Sequence, residues 1–468
     1  MNQPSTTPGS TDTPSPGDGP TVTRTGLAIG LCAMIIGIAF EAAAVATSMP
    51  VAAKDLNGID SYAWAFSLFT IGMLFSTVVA GRLCDRVGPA KPMIVGMLIF
   101  AAGLVIGGTA VSWPMLIIGR LVQGLGGGAL NTASYVCIAQ VFDAKQRPRM
   151  FTYISMAWVL PGIAGPSAAA WITRTFSWHW AFFAVLPLLA FGAVLLTPTW
   201  RLLLRTPSPD RDENAAPSNP APIWGAAVAA LSAALIQYAG QRLDLLAVIP
   251  GVLGLAGLVV ALPRLMPPGF TRLGRGLPAV VLTRMMLPGA FFGAEAFIPL
   301  MLVEERHLSL TLAGAALTVG SIGWSFGAWV QSQRWMTVRR DRMITIGVAS
   351  VTLGVAVVAV MALLPGSWVG LVAIGWIIAA FGMGVGTASS SVATMALSSD
   401  AEQGRNASSL NLGDALGTSV FVGISGSVFS ALHGRGDLAG TFGIAFAVMA
   451  FVGLLGVLAS LRVGKLPH

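Results

Sequence analysis

The chain has 468 residues, of which 55% are hydrophobic and only 10% charged, with a formal net charge of +8 and a mean hydropathy of +0.77. A soluble domain carries roughly a quarter charged residues, so this composition excludes a water-solvated globule and points to lipid as the solvent. The Lys and Arg residues punctuate apolar runs instead of forming a face or a tail, which excludes a nucleic-acid reading, and Cys32, Cys84 and Cys137 show no metal-ligand spacing.

Residues 1–23 are Pro, Ser, Thr and Gly with two Asp and no basic residue. They lack the positive start and apolar core of a secretory leader and are expected to be a disordered cytoplasmic tail. Fourteen apolar segments follow, near 26–50, 61–81, 92–111, 114–141, 149–173, 178–198, 223–241, 245–263, 279–303, 309–331, 343–364, 368–397, 406–432 and 439–461. Each is close to the ~20 residues a helix needs to cross a bilayer. The fold class expected is therefore all-α and integral to the membrane. Two polar joints, 201–222 and 265–278, bracket segments 7 and 8. They divide the chain into a six-helix bundle (24–200), a cytoplasmic linker, two inserted helices (223–264), a second linker and another six-helix bundle (279–463).

Counting Lys and Arg in alternate loops gives 21 on one side and 5 on the other, with Arg284 among the 21. Basic loops stay cytoplasmic, so both termini are expected there. The Ala- and Gly-rich, Arg-over-Lys composition suggests a bacterial source and hence the bacterial cytoplasmic (inner) membrane.

An ionisable side chain at mid-bilayer costs about 2.5–3.5 kcal/mol on insertion scales, so each is a functional hypothesis. Four stand well inside apolar runs: Glu41, Arg120, Glu295 and Asp414. Glu41 and Arg120 lie at similar height, roughly 10–14 Å from the outer end at 1.5 Å per residue. They form either a proton-coupling pair or a static buried one. Glu295, flanked by Phe291, Phe292 and Pro299, has no basic partner on its own segment; it either carries a proton, binds a cationic substrate, or sits neutral against backbone. Asp414 is read as a substrate-side acid or a local hydrogen-bonding group. Gln123, Asn131, Gln237, Trp324 and Asn411 are further cavity candidates, and Phe291, Phe292 and Trp376 could line an apolar pocket.

The loop after segment 2 reads Gly81-Arg-Leu-Cys-Asp85-Arg86-Val-Gly88, ending in Lys91. It resembles motif A of the major facilitator superfamily, with Pro89-Ala90 in place of the usual basic pair. Arg120 to Gly128 resembles motif B. Pro161-Gly162-Ile-Ala-Gly165-Pro166-Ser-Ala-Ala169-Ala170 is similar to motif C, the antiporter signature, with two Ala where Gly-Gly is usual. Glu41, nine residues before Pro50, together with Trp178-His179-Trp180, resembles the fourteen-helix drug:proton antiporter branch. The resemblance spans about residues 25–465. It implies two six-helix bundles plus two extra helices, working by alternating access. It also implies a latch at Gly81, Asp85, Arg86 and Gly88, and a helix 5 element at Gly162, Gly165 and Pro166.

Two serine signatures, Gly323-Trp-Ser325-Phe-Gly327 and Gly423-Ile-Ser425-Gly426, need a general base. The four His residues (179, 307, 433 and 468) fall at loops or the terminus, so no enzyme is expected. No Walker A sequence occurs, and no metal or other cofactor is expected beyond the proton motive force. The function expected is a proton-coupled exporter of hydrophobic or cationic small molecules, with proton-coupling residues Glu41, Glu295 and Arg120 and substrate-binding residues Asp414, Gln123, Asn131, Phe291, Phe292, Trp324 and Asn411. The alternatives are export of an endogenous lipid, siderophore or metabolite, and uptake by proton symport. The partners expected are a small-molecule substrate, protons and membrane lipid, with no nucleic acid, and a monomeric state.

Overall fold

The computed structural model describes residues 21–466 apart from 143–145, 206–220, 243, 334, 365, 367, 400–401 and 435. Nearly all of the expected tail at 1–23 and most of the expected linker at 201–222 lie outside the described residues. Among the described residues every regular element is a helix. In lipid this follows from the backbone, since a helix satisfies its own N–H and C=O groups without water.

The first bundle contains α1 (Thr21–Asp55), α2 (Trp64–Val87), α3 (Ala90–Gly108), α4 (Trp113–Val141), α5 (Arg147–Thr175), α6 (His179–Phe183) and α7 (Leu186–Arg205). Then come α8 (Ile223–Arg242) and α9 (Val248–Leu265). The second bundle contains α10 (Leu277–Glu295), α11 (Ile298–Glu304), α12 (Leu310–Ser332), α13 (Arg340–Leu363), α14 (Gly370–Ala396), α15 (Gln403–His433) and α16 (Leu438–Ser460). Taking α6–α7 and α10–α11 each as one crossing gives the fourteen segments expected. Twelve of them are apolar and long enough to cross a membrane on composition alone. The other two, α4 and α5, have the length but are diluted by Gly, Pro and Arg.

Two expected segments, 178–198 and 279–303, are each interrupted. Both breaks have one cause. Pro187 and Pro299 are the second residues of α7 and α11, and the preceding helices end at Phe183 and Glu295, each four residues earlier. A proline ring clashes with the carbonyl four residues back and offers no N–H to it. Pro50, Pro166 and Pro288 sit inside continuous helices, so a proline alone does not force a break.

The two bundles repeat one packing scheme. In the first, α4 lies between α2 and α3; in the second, α14 lies between α12 and α13. Glycine permits both. A Cβ on Gly124 would strike the carbonyl oxygen of Phe69 on α2, and one on Gly384 would strike that of Trp324 on α12. Small residues let backbones approach where lipid supplies no hydrophobic drive between helices.

The bundles meet along α5–α12 and α2–α15, and between α1 and both α11 and α12. Helix α8 packs against α2 and α15, and α9 packs on α8. The end at which α1 finishes is the expected outer end. There Lys54 Nζ lies 3.3 Å from a Glu304 carboxylate oxygen, and Arg174 donates to Thr311 Oγ1 at 3.0 Å. Thr318 Oγ1 donates to the Ile163 carbonyl at 3.1 Å, and the rings of Tyr62 and Phe297 are 5.4 Å apart. Each of these links joins the two bundles in the outer half.

Candidate functional site

Glu41 on α1 and Arg120 on α4 are both fully buried and form an ion pair. The guanidinium has three further contacts: Nε donates to the Ala65 carbonyl of α2 at 2.8 Å, Nη1 also donates to Gln123 Oε1, and the charge lies 4.4 Å from the Phe69 ring centre. Gln123 Nε2 in turn donates to the Gly103 carbonyl of α3 at 3.1 Å. One network therefore ties α1, α2, α3 and α4 together. Glu41 Oε2 is buried within it and has no hydrogen-bond partner. Gln123, expected at the substrate, is wholly buried and bonded at both ends of its amide.

The second bundle holds a comparable pair that the sequence reading missed. Arg284, counted there as a loop charge, stands seven residues into α10 with its side chain only 10% exposed. Its Nε and Nη2 donate to the two carboxylate oxygens of Asp414 on α15 at 2.6 and 2.7 Å, the bidentate geometry that suits a guanidinium. Its Nη1 donates to the Thr387 carbonyl of α14 at 2.6 Å. Among the described residues Arg284 thus joins Glu41, Arg120, Glu295 and Asp414 as a charged group deep in the helices. Arg284 stands five residues inside the segment expected at 279–303 and was nonetheless counted with the adjoining loop charges; the unpartnered Asp414 was the available signal. Asp414 keeps 28% of its side chain exposed. It shares a face of α15 with Asn411, which is exposed, and Thr418, which is half-buried.

Glu295 is half-buried and forms no hydrogen bond or ion pair among the described residues. It is the last residue of α10, at the Pro299 break, and Phe297 two residues on touches Tyr62 of the other bundle. One turn earlier Phe291 stacks on Trp376 at 4.2 Å and meets Trp324 edge-on at 5.7 Å. Phe291 and Trp376 are buried, while Phe292 and Trp324 are half-buried and form the accessible layer of this wall. Asn131 on α4 is half-buried with its Oδ1 unpaired. Gln237 on α8 is buried against Gly423 of α15, and neither end of its amide is bonded.

The motif A residues expected in a loop are helical instead: Gly81 to Val87 form the last turns of α2, and Gly88 ends it at φ 75°, a left-handed value that glycine adopts freely. Asp85 and Arg86 are exposed, and Asp85 forms no ion pair among the described residues. In the motif C helix, a Cβ on Gly162 would lie 2.9 Å from Ser321 Oγ of α12, and one on Gly165 would lie 3.0 Å from Ala43 Cβ of α1. The Pro166 carbonyl faces Gly314 of α12 equally closely. Ala169 and Ala170 are fully buried, so their methyl groups fit where the related pattern has glycine. The serine signature at Ser325 is a packing element. Gly323 and Gly327 lie against the α14 backbone, and Ser325 donates to the Ser321 carbonyl at 2.9 Å.

Comparison with known proteins agrees with this architecture. The family model of the Major Facilitator Superfamily matches residues 29–364. A 31% identical stretch of 160 residues is shared with multidrug resistance protein 3 of Bacillus subtilis, covering 34% of this chain and 31% of that protein. An acurin A biosynthesis cluster transporter of Aspergillus aculeatus is 30% identical over 186 residues, covering 40% of this chain and 32% of its own length. A probable multidrug-efflux transporter of Mycobacterium tuberculosis is 25% identical over 433 residues, covering 87% of this chain and 88% of that one. The chain thus spans about a third of the length of the first two and most of the third. Among solved structures, a POT family transporter in complex with a thioalcohol-conjugated peptide superposes with a TM-score of 0.70 at 14% identity, covering 94% of this chain and 97% of that one. At that identity the likeness speaks for the fold alone. The family match over residues 29–364, together with the paired bundles, makes this chain a member of the major facilitator superfamily.

Proposed function

We propose that this transporter exports hydrophobic or cationic small molecules in exchange for protons, by rocking its two bundles about the seam. The observation that carries the reading is the placement of Glu295. Among the described residues it is the deep acid without a basic partner, it ends a broken helix, and Phe297, two residues on, crosses the seam to Tyr62. Rocking must change the surroundings of a group so placed, which is what a proton carrier needs. The Phe292–Trp324 wall beside it offers an apolar, polarisable surface for a ring-bearing or cationic substrate.

Glu41 and Arg120 belong to the same bundle, so rigid rocking leaves them together. We assign them a second coupling site, with the unpartnered Oε2 as the position where a proton lands and weakens the hold on Arg120. Asp414 is assigned to substrate recognition at the inner half, where a cation would compete with Arg284. The outer end is joined and Asp85 of motif A is unengaged; both features support a conformer that faces the basic-loop side.

Everted vesicles carrying an internal pH probe test the mechanism. Adding substrate should release lumenal protons with the wild type. Glu295→Gln should abolish that release while substrate binding persists. If Glu295→Gln and Glu41→Gln both leave coupling intact, the mechanism is wrong. Asp414→Asn should lower export of cationic substrates selectively; equal loss of neutral ones would assign Asp414 to coupling.

A further inference from the structure

A cleft of about 470 Å³ opens between the start of α13 and the end of α16, lined by Asp341, Arg342, Thr345, Ile346, Ser460, Leu461, Gly464 and Lys465. It lies at the end of the molecule opposite the joined outer contacts. Its walls are built, not incidental. Gly464, at φ 84°, turns the chain back after α16, and the Leu466 N–H then donates to Asp341 Oδ1 at 3.2 Å. Val463 and Leu466 are buried on either side of Lys465, and the Arg462 carbonyl accepts from the Gly276 N–H at 3.1 Å. Lys465 is therefore carried on a hook pinned at three points. The Ser460 hydroxyl donates to Thr345 Oγ1 at 2.9 Å and closes the floor.

The charge of this cleft is unbalanced. Asp341, the only acid among the described residues lining it, is taken up by Arg339, whose Nε and Nη2 donate to the two carboxylate oxygens at 3.0 and 2.7 Å. Arg342 and Lys465 are exposed and form no ion pair or hydrogen bond among the described residues. Two like charges facing one cleft repel unless an anion lies between them, and the first turn of α13 adds the positive end of a helix dipole. Apolar surface adjoins the charges: Leu461 is 67% exposed and Ile346 45%, and Leu454, Leu458 and Phe451 continue the stripe along α16. Cation, hydroxyl and apolar stripe in that vertical order match a phosphate headgroup above acyl chains.

We propose that this cleft binds the phosphate of an anionic membrane phospholipid, with Arg342 and Lys465 on the phosphate and the acyl chains along the α16 stripe. The ligand chemistry is a phosphate ester anion; the membrane is its source. Basic pockets between helices at the cytoplasmic interface are suited to such headgroups.

The full-length protein in phosphatidylcholine nanodiscs can be titrated with fluorescent phosphatidylglycerol. Wild type should bind it saturably. Arg342→Gln and Lys465→Gln should each weaken binding about fivefold, on the basis of roughly 1 kcal/mol per cation at a membrane surface. Arg405→Gln, a basic residue outside the cleft, should leave binding unchanged, and the thermal midpoint should not move in any of the three. Retained affinity in the Arg342→Gln/Lys465→Gln double variant overturns the site. Full displacement of the lipid by excess inorganic phosphate overturns the lipid as occupant in favour of a soluble anion.

Discussion

Glu41 and Arg120 illustrate how much a charge in these helices depends on its partner. Each alone would be an ion in a low-dielectric interior; together, with Ala65, Gln123 and Phe69 around the guanidinium, they are tolerated. Removing one partner of a buried pair typically costs about 3–5 kcal/mol, whereas replacing both with apolar groups is often close to neutral. Arg120→Leu should therefore lower the thermal midpoint of the purified protein sharply. The Glu41→Leu/Arg120→Leu double variant should recover much of the loss. A double variant as unstable as the single would mean that the rest of the network, not the pair, holds these helices. Both residues were visible in the sequence because they interrupt apolar runs. Their mutual contact was inferred there only from similar depth. Arg284 was not recognised, since a charge five residues inside its segment was counted with the adjoining loop, and its partner lies on another helix.

At the scale of the element, the break between α10 and α11 decides what Glu295 can do. Pro299 ends α10 at Glu295, which places the carboxylate at an interruption in the backbone ladder beside the seam. Pro299→Ala should let one helix run through residues 296 and 297. The new N–H could donate to the Glu295 carbonyl and the ring clash would be gone, so the variant should gain helix content and transport more slowly in the same preparation. Unchanged transport would remove the break from the mechanism. Proline positions were legible in the sequence, yet Pro288 and Pro299 look alike there. Only one of them interrupts the helix, because the packing around each backbone determines whether a kink or a break results.

For the whole molecule, the question is how the bundles move against each other. The outer end is joined by Lys54 with Glu304 and by Arg174 with Thr311. A Lys54→Cys/Glu304→Cys pair, in a background with Cys32, Cys84 and Cys137 replaced, should be bridged by a bis-methanethiosulfonate reagent, because the long side chains that meet there span more than a direct disulfide does. Transport should then stop and return on reduction. Full transport in the cross-linked protein would show that the outer end need not open. Sidedness is testable by the same chemistry: single cysteines at positions 56 and 210 should react from opposite faces of sealed vesicles with an impermeant thiol reagent, and labelling from one face would overturn the expected topology.

Much of this architecture followed from the sequence by itself. The apolar runs, each as long as a bilayer is thick, made an all-helical membrane fold unavoidable, and the spacing of Gly, Asp and Arg in the loops carried the family. Those properties are local: hydropathy and turn chemistry act within one segment. Pairing is not local. Which base meets Asp414, which helix end faces the seam and how α8 lodges against α2 and α15 depend on residues brought together from distant parts of the chain. Only the tertiary structure could decide them, because in lipid the hydrophobic effect selects the helices but close packing and polar contacts select their neighbours.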